Sequence, residues 1–138
     1  MKENCIFCKI IKKEIPSRIL YEDDDFIIIL DNGPATRGHA ILIPKEHFEN
    51  IFTMNEEIAS KLFPVIIKVS NAMKKVLNCD GLNLLQNNGR QAGQTVFHFH
   101  LHLIPRYKED GVSFQWDSKE YNEEEYTTLV NEIASLLS

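Results

Sequence analysis

The period of the hydrophobic positions changes along the chain from two, to none, to about 3.6, and back. "SRILYEDDDFIIIL" reads as two short strands around an acidic turn at Glu22–Asp25. Its second half, Phe26–Leu30, is apolar at each position, as a strand buried on both faces must be. "GHAILIP" is a further strand, closed by Pro44. From Thr53 the pattern becomes helical, with apolar residues at 58, 62, 65, 66, 69, 72, 73 and 76. Thr53 and Glu56 have the spacing of a capping box, Pro64 predicts a kink, and Gly81 a stop. "LNLLQNN" returns to a strand, "GRQAG" is a loop, and "FHFHLHLIP" is a strand that Pro105 ends. From Asn122, apolar positions at 126, 129, 130, 133, 136 and 137 predict a second amphipathic helix.

Strands joined by short turns, with one long helix and a C-terminal helix, predict an α+β domain built on an antiparallel sheet of about five strands. A parallel doubly wound sheet does not fit this order. Residues 1–138 read as a single domain, with a C-terminal tail over about 106–138. No repeat and no low-complexity linker interrupts it.

Composition narrows the function classes. Hydrophobic residues make up 43% and charged residues 25%, the balance of a globular protein able to bury a core without disulfides. The net charge is −5 and no basic stripe is present, which argues against a nucleic-acid-binding role. No apolar run reaches membrane-spanning length, and "MKENCIFCKIIKKEIPS" lacks the apolar core of a signal peptide, so the expected location is cytoplasmic, with no membrane partner. Neither G-x-G-x-x-G nor G-x-x-x-x-G-K-[ST] occurs, so neither a Rossmann nor a P-loop site is in view.

Three of the five histidines, His98, His100 and His102, alternate with Phe99 and Leu101. In a strand such residues share one face, roughly 7 Å apart. One histidine there would read as an ordinary polar position or part of an exposed metal patch. Three in strict alternation point to a reactive site, because imidazole serves as nucleophile, acid and phosphate donor near neutral pH. The preceding "NGRQAGQT" alone is a polar turn. Beside the histidine row it reads as a cradle for an anion, with glycines that let the backbone approach closely. "CIFC" is a C-x-x-C, open to three readings: half of a tetrahedral zinc site, a redox pair, or two half-buried small residues on a first helical turn. The redox reading lacks a thioredoxin-like context. A second C-x-x-C is absent, so histidines would have to complete a zinc site.

"HFHLHLI" resembles the H-φ-H-φ-H-φ-φ signature of the histidine triad nucleotide-binding (HIT) family. "GQTVFHFHLHLIPRY", "GHAILIPKEH" and "CIFCKIIKKEIPS" are similar to its bacterial Hit/Hint-like members. The resemblance implies a hydrolase that cleaves at the α-phosphorus of a purine nucleotide through a covalent nucleotidyl-histidine on His100. It implies that His102 donates to the phosphate and the leaving group, and that His39 is the fourth histidine of the site. Asn87, Gln94 and Thr95 match phosphate-contacting positions, with Gly93 shaping the turn. Asp31 matches the ribose-binding acid, and Ile6, Phe7, Ile10, Ile29 and Ile41 match the walls around the base. Asn32 stands where relatives often carry an apolar residue.

The family's zinc-binding members use the positions of Cys5, Cys8, His47 and His98, which implies one structural Zn2+ per chain and none needed in the chemical step. Cys79 reads as an ordinary thiol. Substrates implied are an AMP-like nucleotide joined to an amine or, alternatively, a dinucleoside polyphosphate. A non-catalytic nucleotide-binding or regulatory module is the reading from another class. The family also implies a homodimer, in which the main helix and a neighbouring strand pair with their copies.

Overall fold

Five antiparallel strands form one sheet in the order β1-β2-β3-β5-β4 in the computed structural model, which describes residues 2–137. The strands are β1 (Ile19–Glu22), β2 (Phe26–Leu30), β3 (Ala40–Pro44), β4 (Gly81–Leu85) and β5 (Leu101–Arg106). The helices are α1 (Ile6–Ile11), α2 (Glu56–Ser60), α3 (Leu62–Leu77) and α4 (Glu123–Ser135). The fold is α+β, as the strand and helix order predicts. Among the described residues, no helix is long and apolar enough to cross a membrane.

The unbroken apolar run of β2 has its explanation in the layers. Phe26 and Ile28 join Ala40, Leu42, Leu101 and Leu103 against Leu62, Ile66, Val69 and Met73 of α3. Ile27 and Ile29 join Ile41 and Ile43 on the opposite face, against Phe7, Ile10 and Ile11 of α1. Each central strand therefore buries alternate residues in two different cores. The turn between β1 and β2 is tied by Asp23, whose Oδ1 accepts from the amides of Asp25 at 2.8 Å and Phe26 at 2.7 Å.

The helical region departs from the sequence expectation in three ways. It is not one helix kinked at Pro64; the chain breaks at Lys61, between α2 and α3. Proline cannot donate to the carbonyl four residues back and its ring clashes with it, so a helix restarts with Pro64 in its first turn, where no donor is missed. The N-terminal cap is Asn55 rather than Thr53: its Oδ1 accepts from the amides of Glu57 at 2.7 Å and Ile58 at 3.2 Å. Thr53 lies instead in a 3-10 turn, Ile51–Thr53. The helix stops at Asn78, in the left-handed conformation (φ 53°), and Gly81 opens β4.

The histidine strand is shorter than predicted. β5 begins at Leu101, leaving His98 and His100 in irregular chain before it. Its pairing with β3 runs from Leu103 opposite Ala40 to Leu101 opposite Leu42. Two positions beyond Leu42 lies Pro44, which has no amide hydrogen and whose carbonyl is taken by the His98 ring. Pro105 does not end the strand: it pairs opposite Leu82 of β4, beyond the last β3 pair. Helix α4 is capped by Asn122, whose side chain accepts from the amide of Glu125 at 2.9 Å. It buries none of its residues against the rest of the chain.

Candidate functional site

On the α1 face of β5 the apolar pattern gives way to rings. His102 pairs opposite Ile41, while Leu101 and Leu103 enter the core under α3. The alternation that fills one core therefore aims the histidines at the other side, as the sequence predicts. His98 has no exposure and His100 is 8% exposed. The rings of His100 and His102 lie 5.1 Å apart, and Phe7 of α1 meets His100 edge-on at 5.0 Å.

Backbone partners determine which nitrogen of each ring is available. His100 donates from Nδ1 to the carbonyl of His98 at 2.8 Å, which leaves a lone pair on Nε2. His98 does the reverse: Nε2 donates to the Pro44 carbonyl at 2.8 Å, which leaves Nδ1 as the acceptor. His39 receives the Ala35 amide hydrogen at Nδ1, 2.9 Å away, so its ring proton is on Nε2. That Nε2 faces Nδ1 of His102 at 2.9 Å and Oδ2 of Asp31 at 3.5 Å. Burial holds all four rings in the neutral form. His98 and His102 are each pushed down to about 4, and His39 and His100 are lowered from the ordinary value.

Cys5, Cys8, His47 and His98 present four ligand atoms within 4.8 Å of one another. Nδ1 of His98 lies 3.4 Å from Sγ of Cys5 and 3.6 Å from Sγ of Cys8, and Nδ1 of His47 lies 3.3 Å from Sγ of Cys8. Tetrahedral zinc with ordinary Zn–S and Zn–N lengths requires S···N edges of about 3.5 Å. The set therefore fits a metal. The chemistry agrees: His98 is fixed with its lone pair toward the sulfurs by the Pro44 carbonyl. Burial pushes the Cys8 thiol up, so a bound cation is what would favour its thiolate. Sγ of Cys5 also accepts from the Cys8 amide at 3.4 Å and caps α1.

Asp31, His39 and His102 also bring ligand-type atoms together. This second group does not fit a metal. The Ala35 amide hydrogen fills Nδ1 of His39, so Nε2 must keep its proton and cannot ligate.

Of the positions matched to the phosphate, Gln94 is 2% exposed and its carboxamide is already used. Its oxygen accepts from the Gly89 amide at 2.7 Å, and its nitrogen donates to the carbonyls of Glu49 at 2.7 Å and Val96 at 3.0 Å. It shapes the loop. Gly93, with φ of +95°, lies against the Asn87 side chain: a Cβ there would come 3.4 Å from Nδ2. Thr95 is exposed at the mouth of the loop. Ile6 is 48% exposed, whereas Ile10, Ile29 and Ile41 belong to the α1 core and offer a base only their edges. Asn32 accepts from Arg18 at 3.0 Å and so turns away from an apolar role. Ala35 and Pro44 were not foreseen as part of the site. Both act through backbone atoms, which leave no trace in side-chain patterns.

The chain as a whole has counterparts among known proteins. The HIT domain model matches residues 12–109, and the chain belongs to the HIT family. It is 39% identical over 133 residues to an adenosine 5′-monophosphoramidase of Schizosaccharomyces pombe, covering 96% of this chain and 97% of that one. A HIT family protein from Bacillus anthracis superimposes with a TM-score of 0.92 at 47% identity, over 100% of both chains. A zinc-bound histidine triad family protein from Mycobacterium smegmatis has a TM-score of 0.75 at 37% identity, covering 96% of this chain and 95% of that one.

Proposed function

We propose that this protein is a nucleotide hydrolase that cleaves at the α-phosphorus of an AMP-like substrate carrying an amine leaving group. The observation that carries the proposal is the Nδ1 bond of His100 to the His98 carbonyl, at 2.8 Å, which frees Nε2 as a nucleophile. In the first step the Nε2 lone pair attacks phosphorus and the bond to the leaving group breaks. A proton from solvent completes the departing amine, toward which His102 directs its Nε2–H as a hydrogen-bond donor. In the second step water attacks the phosphorus of the nucleotidyl-histidine, loses its proton to solvent, and releases AMP and the free His100. Two displacements replace one difficult attack by water.

Asp31 accepts from the ribose hydroxyls. Asn87, Thr95 and backbone amides of the loop around Gly93 and Gln94 surround the phosphate oxygens, where fixed donors stabilise charge as it redistributes. Ile6 and Phe7, with the edges of Ile10, Ile29 and Ile41, line the base.

Zinc held by Cys5, Cys8, His47 and His98 would tie α1 to the loop after β3 and to the chain before β5. With four protein ligands it has no open position and takes no part in the reaction. The working unit is a homodimer, supported by exposed apolar residues along α3 and edge strand β4. The decisive experiment is rapid quenching during turnover of adenosine 5′-phosphoramidate, followed by mass analysis of the intact chain. The expected product is an adenylyl adduct on His100; single-step hydrolysis with no adduct at any time overturns the proposal.

A further inference from the structure

Backbone pairing brings Arg18 beside the residue assigned to the sugar. Its carbonyl accepts from the Leu30 amide at 2.9 Å, which sets Arg18 against the last residue of β2, next to Asp31. Beyond Asp31 the chain turns sharply, because Oδ1 of Asp31 accepts from the Gly33 amide at 2.7 Å. Asn32, at the centre of that turn, accepts from Nη1 of Arg18 through Oδ1 at 3.0 Å. A cleft of about 330 Å3 opens here, bounded by Arg18, Asp31, Asn32, Pro34 and His39. That volume is in the range of small-ligand sites.

The unused groups in this cleft decide what it can take. The bond to Asn32 occupies one of the five guanidinium N–H groups of Arg18. Among the described residues no carboxylate lies within 4 Å of that guanidinium. Because Asn32 spends its oxygen on Arg18, its side-chain nitrogen is also a donor with no acceptor among the described residues. Asp31 supplies the opposite chemistry, with Oδ2 left to accept at 3.5 Å from Nε2 of His39. One acceptor for a hydroxyl therefore stands beside two donor groups for an anion. In nucleotide sites a carboxylate takes a ribose hydroxyl, and an arginine takes a ribose phosphate with its planar fork. Here both residues line one cleft.

We propose that Arg18 and Asn32 form a subsite for a phosphate monoester on the sugar, so that the preferred substrates are adenosine 5′-nucleotides phosphorylated on the 2′ or 3′ oxygen. The remaining hydroxyl donates to Oδ2 of Asp31, and the phosphate oxygens accept from Arg18 and from Nδ2 of Asn32. The bond between the two side chains holds the fork in place before the ligand arrives. The sugar phosphate takes no part in the chemical step. The inference rests on the proposed hydrolase function, with ribose at Asp31.

Calorimetric titration of the full chain with AMP, adenosine 2′,5′-bisphosphate and adenosine 3′,5′-bisphosphate tests it. At least one bisphosphate should bind about tenfold more tightly than AMP, the gain that one charge-assisted hydrogen bond supplies. Arg18→Gln should bring that ratio close to one, and Arg18→Lys should keep part of it. If Arg18 only ties β1 to the turn, Arg18→Gln moves the thermal midpoint and leaves the ratio unchanged, which overturns the subsite. Bisphosphates that bind no better than AMP also overturn it, while leaving a hydrolase that forms an adduct on His100 intact. Absence of binding by all three nucleotides overturns the subsite. If adenosine 5′-phosphoramidate is not turned over either, the hydrolase function falls with it.

Discussion

His98 and His100 are two positions apart and are locked in opposite senses by carbonyl groups. The His98 carbonyl accepts from Nδ1 of His100 at 2.8 Å, and the Pro44 carbonyl accepts from Nε2 of His98 at 2.8 Å. One ring therefore offers Nε2 outward and the other offers Nδ1 to two cysteines. Alternation along a strand would give neighbouring histidines equivalent settings; here the backbone gives them different chemistry.

If Nε2 of His100 is the nucleophile, His100→Asn should abolish turnover and leave AMP binding within a few-fold. In the proposed site Asp31, Asn87 and Thr95 would remain to hold sugar and phosphate. The expected loss is on the order of 5 kcal/mol or more in activation free energy, because the covalent route disappears. Single-turnover kinetics and calorimetric titration with AMP separate the two effects. Near wild-type hydrolysis by the variant would overturn the assignment.

Burial makes His102 a probe of acid stability. Its folded-state value is pushed down to about 4, below the ordinary 6.5 that it regains on unfolding. Between those values the unfolded chain binds more protons than the folded one, so stability is complete above about 6.5 and declines as pH falls toward 4. The unfolding midpoint should drop over this window. His102→Gln, which has no group to protonate there, should show a shallower drop. Parallel pH profiles for the two proteins would place the titration elsewhere.

Much of this site is legible in the sequence because side-chain types and periods encode it. The run Phe26–Leu30 predicts a strand buried on both faces, and Phe26 and Ile27 indeed enter separate cores. The alternation of His102 with Leu101 and Leu103 predicts their opposite faces. What escapes the sequence depends on backbone groups and on competition between neighbours. Asn55 outcompetes Thr53 as a cap because its side chain reaches two amides, and the restart at Leu62 follows from local geometry around Pro64. The late start of β5 follows from Pro44, a residue on another strand. The Ala35 amide that sets the His39 tautomer has no side-chain signature at all.

The Cys5, Cys8, His47 and His98 set should hold close to one zinc per chain after purification without chelator, measured by elemental analysis. Chelation or Cys8→Ser should lower thermal stability by a few kcal/mol. That is well below the ~10–16 kcal/mol that zinc contributes where it replaces a core, because Phe7, Ile10 and Ile11 still anchor α1. The adduct-forming step should change less than stability does. Metal-free protein with unaltered stability would leave the four residues as ordinary packing.

The last expectation concerns the faces this chain leaves uncovered. Phe63 and Ile67 of α3 are 55% and 58% exposed, and Leu84 of β4 is 42% exposed. β4 is also an edge of the sheet, with a row of backbone donors and acceptors open to another strand. A two-fold partner would cover both at once, strand against strand and helix against helix, and each substitution in such an interface would be felt twice. Sedimentation at micromolar concentration should therefore find a dimer. Ile67→Glu would bring two carboxylates into an apolar contact, where desolvation and mutual repulsion cost on the order of several kcal/mol. The dimer should then dissociate at concentrations where the wild type does not, while each chain keeps its fold, because Ile67 lies outside the intrachain core. A wild-type monomer at micromolar concentration, or an Ile67→Glu dimer of unchanged affinity, would show that these surfaces are not where two copies meet.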